Sequence, residues 1–466
     1  MPTFAPDDLA SWTGGRWTTR PTTPLAGFTM DSRQLRAGQV FIALKTEKRD
    51  GHEFLPAAHA AGASAAIVST PNELLPLPQL VVADPLTAFQ AIAREHRRAF
   101  RGPVVGISGS AGKTSTKNLL ALLLGGEAGG VLATEGNLNN HIGVPLTLTR
   151  LDQATHQFAV VEAGISQPGE MTPLASMIEP DVAIITLVAP AHLEELGDLE
   201  GVARAKAALP AAVRAAGVAV FPKQCADFAA FRELTVRTMI VEPAAVIRPT
   251  EPEKDKVYFV ISNRGESTAV SVAYGLPTPL CFTFRRVSQG MAQNAVLAIC
   301  AALWLGVAPD VIQRRIGGWE PAKLRGELRR EDGRLLYLDC YNANPASMAD
   351  ALDVFQSLAP AAEPRLYILG GMEELGSEAE MFHRALGRSL RLRPNDFLFV
   401  IGGHAAAVRA GAIENGNRSE QISVVTSLAP IAARVAEFRG AVFVKGSRRY
   451  QLEQALSPTA QEAAHA

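Results

Sequence analysis

Between Pro103 and Leu124 the chain reads PVVGISGSAGKTSTKNLLALLL, and few folds accommodate such a stretch. Pro103 to Ser108 is a short apolar run suited to a buried parallel strand, and Asn118 to Leu124 has the Leu and Ala content of a helix. The small residues between them form a turn. Gly109 and Gly112 let backbone N–H groups curl round an anion, the helix N-terminus adds partial positive charge, and Lys113 can neutralise outer phosphates. Thr114 then offers a hydroxyl to Mg²⁺. Gly109, Ser110, Ala111, Gly112, Lys113, Thr114 and Ser115 are therefore candidate nucleotide-binding residues. The usual phosphate-loop spelling places a Gly five residues before the Gly-Lys pair, and here that position is Ile107. The competing reading is a Gly/Ser turn carrying a solvated lysine.

At 466 residues the chain should hold roughly three domains, at ~150 residues each. Charge is nearly balanced, 45 basic against 46 acidic residues, which leaves no basic field for nucleic acid and points to small-molecule partners. No run approaches the ~18 apolar residues of a membrane span, and MPTFAPDDLASW lacks the order of a signal peptide, so a cytoplasmic protein is expected. Cys225, Cys281, Cys300 and Cys340 are widely spaced without a CxxC pair. Neither a zinc site nor a disulfide framework follows, and all four are read as reduced. The Ala-rich tail after Ser457 is the one low-complexity segment.

The first hundred residues read as a small α/β unit, with strands at Gln39 to Leu44 and Ala65 to Ser69 and a helix from Phe54 to Gly62. A helix from Thr87 to Phe100 ends at the breakers Arg101-Gly-Pro103. After the phosphate loop come three Asn in four residues, Asn137, Asn139 and Asn140; chemistry alone leaves open whether they meet a ligand or form turns. The strand Phe158 to Val161 runs into Glu162. A carboxylate at the carboxyl end of a strand beside a phosphate loop is where an open parallel sheet presents a Mg²⁺ ligand. The strand Val182 to Leu187 leads to His192, and Lys206 follows on a helix; taken singly, these read as a structural histidine and a surface cation. Phe221 to Val287 is strand-like and irregular, and Gln293 to Leu303 is an apolar helix carrying Asn294. Beyond Arg325, strands at Leu335 to Leu338, Leu366 to Leu369, Asp396 to Ile401, Ile422 to Thr426 and Ala441 to Val444 alternate with helices, which implies a parallel sheet covered on both faces.

Ser108-Gly-Ser-Ala-Gly-Lys-Thr-Ser115 resembles the loop of the Mur ligases and their folylpolyglutamate synthase relatives, which join an amine to a carboxylate using ATP. The likeness extends along the chain: Asp31-Ser-Arg33 and Asp50-Gly-His52, then GNLNN (136–140) followed by IGVPLTL, then His192 with Lys206, Trp319 to Gly326, and Asp339-Cys-Tyr-Asn-Ala-Asn-Pro-Ala-Ser-Met348. Within that family the text is closest to the branch that adds D-alanyl-D-alanine to a UDP-N-acetylmuramoyl-tripeptide. The resemblance implies an α/β protein of three domains. Residues 1–101 would hold the UDP-sugar-peptide, 102–319 would form a phosphate-loop ATPase-like ligase domain with a mostly parallel sheet, and 320–466 would form a Rossmann-like domain for nucleotide and amine substrate.

The same resemblance implies roles residue by residue. Ser32, Arg33 and Asp50 would serve the uridine nucleotide, and Asn137, Asn139 and Asn140 would face ATP and the UDP-peptide. Asn294, Arg325, Asp339, Asn342 and Asn344 would contact ATP. Thr114, Glu162, His192 and a carbamylated Lys206 would hold Mg²⁺, with Lys113, His192 and Lys206 as the catalytic set. Gly370 to Gly376, His383, Lys445 and Arg448 match C-terminal loops, where Lys445 and Arg448 would meet a carboxylate or phosphate. The chain departs from the family at Gly290, where a His is usual, at Thr186 to Pro190, where Asn residues precede the His, and at Cys340, where Ser is common. The expectation is a monomeric, ADP-forming acid–amino-acid ligase of peptidoglycan precursor synthesis. The rivals are another Mur-type or folylpolyglutamate-type ligase, and a nucleotide-binding homologue without catalysis.

Overall fold

The computed structural model describes residues 2–247, 255–275, 278–331 and 333–456. The tail after Ser457 and part of the stretch 221–287 lie outside them. Three sheets organise the described residues. The first has five strands in the order Arg16–Trp17, Gln79–Val81, Ala65–Val68, Val40–Ile42 and Phe28–Thr29, parallel except for the first pair. Its strands Val40–Ile42 and Ala65–Val68 and its helix Leu55–Ala60 fall inside the segments read from sequence. The three other strands are two or three residues long and carry no legible alternation.

The second sheet has nine strands, running Leu280–Arg285, Ser267–Ala273, Lys256–Arg264, Thr238–Pro243, Val218–Pro222, Val182–Ile185, Val104–Ser108, Phe158–Glu162, Val131–Ala133. It is parallel from Val131–Ala133 through to Lys256–Arg264, and its last two pairings are antiparallel. The irregular-looking stretch thus completes the sheet as a ribbon with one face buried. Side chains alternate across the pleat: Val105 and Ile107 pack with Leu119, Leu120 and Leu123 of the helix Lys113–Leu124 on one face, while Val104 packs with Leu174, Ile178 and Leu209 on the other. Register then fixes the site. Ile107 lies beside Glu162 on one neighbour and Ile184 on the other, so three strands end together at the phosphate loop.

The third sheet has six strands in the order Glu327–Glu331, Arg334–Asp339, Ala441–Lys445, Arg365–Gly370, Phe397–Ile401 and Ile422–Val425, parallel except for the first hairpin. All five strands read from sequence are present. The sixth, Glu327-Leu-Arg-Arg-Glu331, escapes a hydrophobicity reading because four of its five residues are charged, as suits an edge strand. Cys225, Cys300 and Cys340 are buried free thiols and Cys281 is an exposed one. Burial raises Cys225, Cys300 and Cys340 to about 12, which keeps them protonated and unreactive.

The helix Pro85–Ala99 begins two residues earlier than its apolar pattern suggests, because Asp84 caps it by accepting from Thr87 N (2.7 Å) and Pro85 takes the first helical position. It serves two cores. Ala88, Phe89 and Ile92 belong to the core of the first sheet, whereas Ala93 and the following Phe100 belong to that of the second. Arg97, with no exposed side-chain surface, donates to Ile178 O (2.8 Å), Glu179 O (2.8 Å) and Asp181 Oδ2 (2.8 Å), and Asp181 Oδ2 also accepts from Val104 N (2.8 Å). Removing the guanidinium leaves two backbone carbonyls without their charged donor and Asp181 Oδ2 with the Val104 amide alone. Arg97→Ala should lower stability by about 3 kcal/mol or more, whereas Arg98→Ala, which loses a surface pair with Glu179, should cost less than about 1 kcal/mol; thermal or denaturant unfolding of the two variants checks the contrast.

Candidate active site

The phosphate loop has the backbone that its glycines permit. Gly109 sits at φ +146° and Gly112 at φ +79°. A Cβ on Gly109 would lie 1.8 Å from Thr186 Oγ1, and one on Gly112 would lie 2.1 Å from Asn294 Nδ2. Only glycine fits either place. The loop is tied to the run that departs from the family pattern: Ser110 N donates to Leu187 O (2.9 Å), the Ser110 hydroxyl to Ala189 O (2.8 Å), and the Thr186 hydroxyl to Ala111 O (2.5 Å). Thr186 to Pro190 therefore anchors the loop through hydroxyl and backbone groups. The rivalling picture of a solvated lysine does not hold, since Lys113 Nζ turns back to donate to Gly109 O (2.8 Å). Burial lowers its pKa and the nearby Glu162 carboxylate opposes that shift.

Glu162 is 1% exposed. Its Oε1 accepts from Thr114 Oγ1 (3.2 Å) and Asn139 Nδ2 (2.8 Å), while Oε2 is buried without a hydrogen-bond partner. An orphaned anionic oxygen beside a hydroxyl suits a hard divalent cation. Among the described residues no three His, Cys, Asp or Glu side chains cluster as a metal-binding group. Magnesium fits such a sparse set, because it keeps several waters and is completed by phosphate oxygens. Asn139 thus orients the carboxylate, a role that differs from the direct substrate contact expected of it.

His192 adopts φ +55° at the start of the helix Leu193–Leu196, and its Nδ1 pairs with the carboxylate of Glu374, which comes from the third sheet's domain. That bond from His192 draws the Glu374 pKa down, with Lys113 adding to it. With Nδ1 facing the Glu374 carboxylate, Nε2 is the nitrogen left for a ligand. Lys206 is 1% exposed and hydrogen-bonds to no described residue. Burial and then the Lys113 charge push its pKa well down, with the Cys225 thiol acting weakly the other way. These surroundings disfavour the ammonium form.

A cavity of about 630 Å³ joins these parts to the last domain. It is lined by Lys113, Thr114, Asn137, Asn139, Asn140, Glu162, His192 and Asn294 on one side and by Arg325, Asp339, Asn342 and Asn344 on the other. Asn294 lines it without a hydrogen bond among the described residues. The Arg325 guanidinium lies 4.0 Å over the Tyr341 ring, which holds its planar fork toward the cavity. Lys445, buried, donates to Asp339 Oδ2 (2.5 Å), so it meets a carboxylate of its own domain; Arg448 pairs with Glu453 away from the cavity.

Three of the cavity-lining Asn also spend a polar atom on local structure. Asn344 caps the helix Pro345–Leu358 by accepting from Ser347 N (2.8 Å), and its Nδ2 donates to Ser110 O (3.3 Å). Asn344 thus docks the last domain on the phosphate loop, with one amide N–H and one oxygen lone pair left on the cavity side. Asn342 turns its Oδ1 to Ala343 N (2.8 Å), leaving only its amide NH₂ outward. Asn140 accepts from Ile142 N (3.1 Å) and Gly143 N (2.9 Å), an Asx turn at the head of the helix Gly143–Leu148.

Ser32, Arg33 and Asp50 are not brought to this cavity. Arg33 forks onto Asp31 (2.9 and 2.8 Å) with its side chain 86% exposed. Asp50 accepts from His52 Nδ1 (2.6 Å), and His52 Nε2 accepts from Ser69 N (3.0 Å), so Asp50 and His52 pin the loop to the strand Ala65–Val68. Three residues escaped the sequence reading. Lys117, one helical turn beyond Lys113, reaches Thr134 O (2.5 Å) and carries a detectable spacing signal. Glu374 and Asp350 act across a domain boundary, and no local pattern reports that. Lys113→Ala should leave unfolding unchanged and remove ~3 kcal/mol or more of transition-state stabilisation, read as loss of ATP-dependent phosphate release.

Comparison with known proteins completes the assignment. Residues 24–101 match the model described as Mur ligase family, catalytic domain, 107–302 the Mur ligase middle domain, and 324–448 the Mur ligase, glutamate ligase domain. The chain is 30% identical to the UDP-N-acetylmuramoyl-tripeptide–D-alanyl-D-alanine ligase of Bacillus subtilis over 93% of its length and 92% of the relative's, and 30% identical to the Escherichia coli enzyme of that name over 93% of each. Its fold superposes on MurF from Acinetobacter baumannii with a TM-score of 0.87 at 28% identity, covering 99% of both chains. It superposes on the ADP complex of MurF ligase from Thermotoga maritima with a TM-score of 0.79 at 25% identity, over 94% of this chain and 97% of that one. With three family domains matched in order along it and relatives 30% identical over 93% of its length, the chain belongs to the Mur ligase family.

Proposed function

We propose that this chain uses ATP to join D-alanyl-D-alanine to the terminal carboxylate of a UDP-N-acetylmuramoyl-tripeptide, releasing ADP and phosphate, in the synthesis of peptidoglycan precursors. The observation that carries this reading is a pair of abutting cavities. The second, about 440 Å³, lies in the last domain and is lined by Glu194, Glu373, Glu374, His404, Arg449 and Tyr450 among others. Glu374 borders it and also holds His192 of the first cavity. A zwitterionic dipeptide suits this lining: its ammonium pairs with the carboxylates on the His192 side, and its carboxylate with Arg449. Its amine then arrives beside the place where ATP meets the peptide carboxylate.

In the reaction, the peptide carboxylate takes the γ-phosphoryl group of ATP to give an acyl phosphate. The dipeptide amine attacks that carbonyl, and the tetrahedral intermediate collapses with loss of phosphate. Lys113 and the loop amides hold the phosphates, Asn139 and Thr114 fix Glu162, and Glu374 fixes the His192 ring. Thr114, Glu162, His192 and, once carbamylated, Lys206 would hold magnesium, which would supply charge neutralisation at the phosphates. Arg325, Asn294, Asp339 and the Asn342 amide serve the nucleotide, and Ser32 and Arg33 the uridine end. Residues 1–101, 102–319 and 320–466 divide these tasks, and the chain acts as a cytoplasmic monomer whose own domains complete the cavity. Phosphate release with an acceptor panel tests the reading: turnover should require both the UDP-tripeptide and D-alanyl-D-alanine. Equal turnover with a single amino acid or glutamate favours a sister ligase, and none with any acceptor favours a non-catalytic homologue.

Lys206 provides a separate test. In its uncharged form the buried Lys206 amine can add CO₂ to give a carbamate with release of one proton, which would replace a group with no affinity for the metal while protonated by an anionic oxygen ligand. ¹³C-bicarbonate should give a carbamate resonance that Lys206→Ala and Lys206→Arg both lack, with activity nearly abolished in each. Near wild-type activity of Lys206→Arg removes the carbamate from the mechanism.

A further inference from the structure

The helix Pro345–Leu358 of the last domain touches the central domain at three places along its length. Asn344 at its cap donates to Ser110 O (3.3 Å), Asp350 accepts from Gly290 N (2.8 Å), and Ser357 Oγ accepts from Arg286 Nη2 (3.0 Å). Asp350 stands apart from the other two because its contact is both charged and inside the nucleotide cavity, which it lines together with Ser288 and Gly290. Gly290 is the second residue of the helix Gln289–Trp304, whose first-turn amides lack partners within the helix. The Ser288 hydroxyl caps the helix by accepting from Met291 N (3.2 Å). A Cβ at position 290 would lie 2.7 Å from Asp350 Oδ2. The absence of a side chain at 290 and the carboxylate at 350 are therefore one arrangement. The same helix 289–304 carries Asn294, which rests on the phosphate loop at Gly112.

We propose that Asp350 is a positioning residue of the ATP site: by holding the Gly290 amide across the domain boundary, it couples nucleotide binding to the docked position of the last domain. Asp350 fixes the helix 345–358, which presents Asn344 to the phosphate loop. In the same contact it fixes the head of the helix 289–304, which presents Asn294. Loss of the carboxylate lets the two halves of the cavity separate while each domain keeps its own core.

This rests on the cavity taking ATP, and the experiment separates the two claims. Binding of a non-hydrolysable ATP analogue with Mg²⁺ is measured together with the radius of gyration by small-angle scattering, on wild type, Asp350→Ala, Asp350→Asn, Gly290→Ala and Gly290→Ala/Asp350→Ala. Absence of analogue binding to wild type would defeat the ATP reading itself. Asp350→Ala should weaken analogue binding about tenfold or more and enlarge the radius of gyration, with the unfolding temperature of the central domain little moved. Asp350→Asn, which keeps an acceptor for the amide, should lie between it and wild type. Gly290→Ala should weaken binding in the wild-type background through its collision with Asp350, and should be harmless once Asp350 is Ala, because Ala suits a helix better than Gly. The coupling is overturned if Asp350→Ala binds the analogue as wild type does with unchanged dimensions, or if Gly290→Ala is equally harmful in both backgrounds.

Discussion

The site depends on one constraint, a backbone that must leave the end of a buried parallel strand and enter a helix within five residues while turning its amides inward. Strand Val104–Ser108 and helix Lys113–Leu124 are each held by the core, so neither end can yield. The turn is accordingly paid for in side-chain volume, with glycine at the two positions where Thr186 and Asn294 press against the loop. Those two neighbours are what give the loop a single shape. Thr186 ends the adjacent strand, and Asn294 lies on a helix more than a hundred residues further on. Loop geometry therefore reports the packing of the whole central domain.

What could be read from the sequence divides along a physical line. Elements with their own periodicity were legible, including the strands of the last domain and the chain of motifs from Asp31 to Met348. So was the carboxylate at the end of strand Phe158–Glu162, because a phosphate loop and strand register together fix where it must lie. Elements stabilised by partners were not legible. The two-residue strands Arg16–Trp17 and Phe28–Thr29 exist only as neighbours in a sheet, and Glu327–Glu331 is charged at four of its five positions. Roles were harder still. A motif shows which residues gather at a site but not how their polar atoms are spent, and Asn139, Asn140 and Asn344 turn out to spend them on a carboxylate, a turn and a domain contact.

Charge is distributed so that the cavity is assembled from opposites. Lys113 feels the Glu162 carboxylate, Lys445 is buried against Asp339, and Glu374 crosses from the last domain to His192. Pairs of this kind hold their members in place and keep them soluble inside the protein until substrate arrives. Lys206 is the exception, a buried amine with no hydrogen-bond partner among the described residues, an environment that disfavours its charged form.

The helix Pro85–Ala99 contributes Phe89 and Ile92 to one core and Ala93 to the next, and Arg97 stitches it to the carbonyls behind the phosphate-loop strand. The first two domains consequently share a structural member and form one lever against which the third can move. In evolutionary terms, the module built on the first sheet cannot be exchanged as a cassette cut at Gly102. A viable recombination point must precede Asp84, so that the helix travels with the catalytic domain, and the incoming module must supply a surface shaped to Phe89. Such a junction would leave substrate recognition free to diversify only in those lineages where both surfaces changed together.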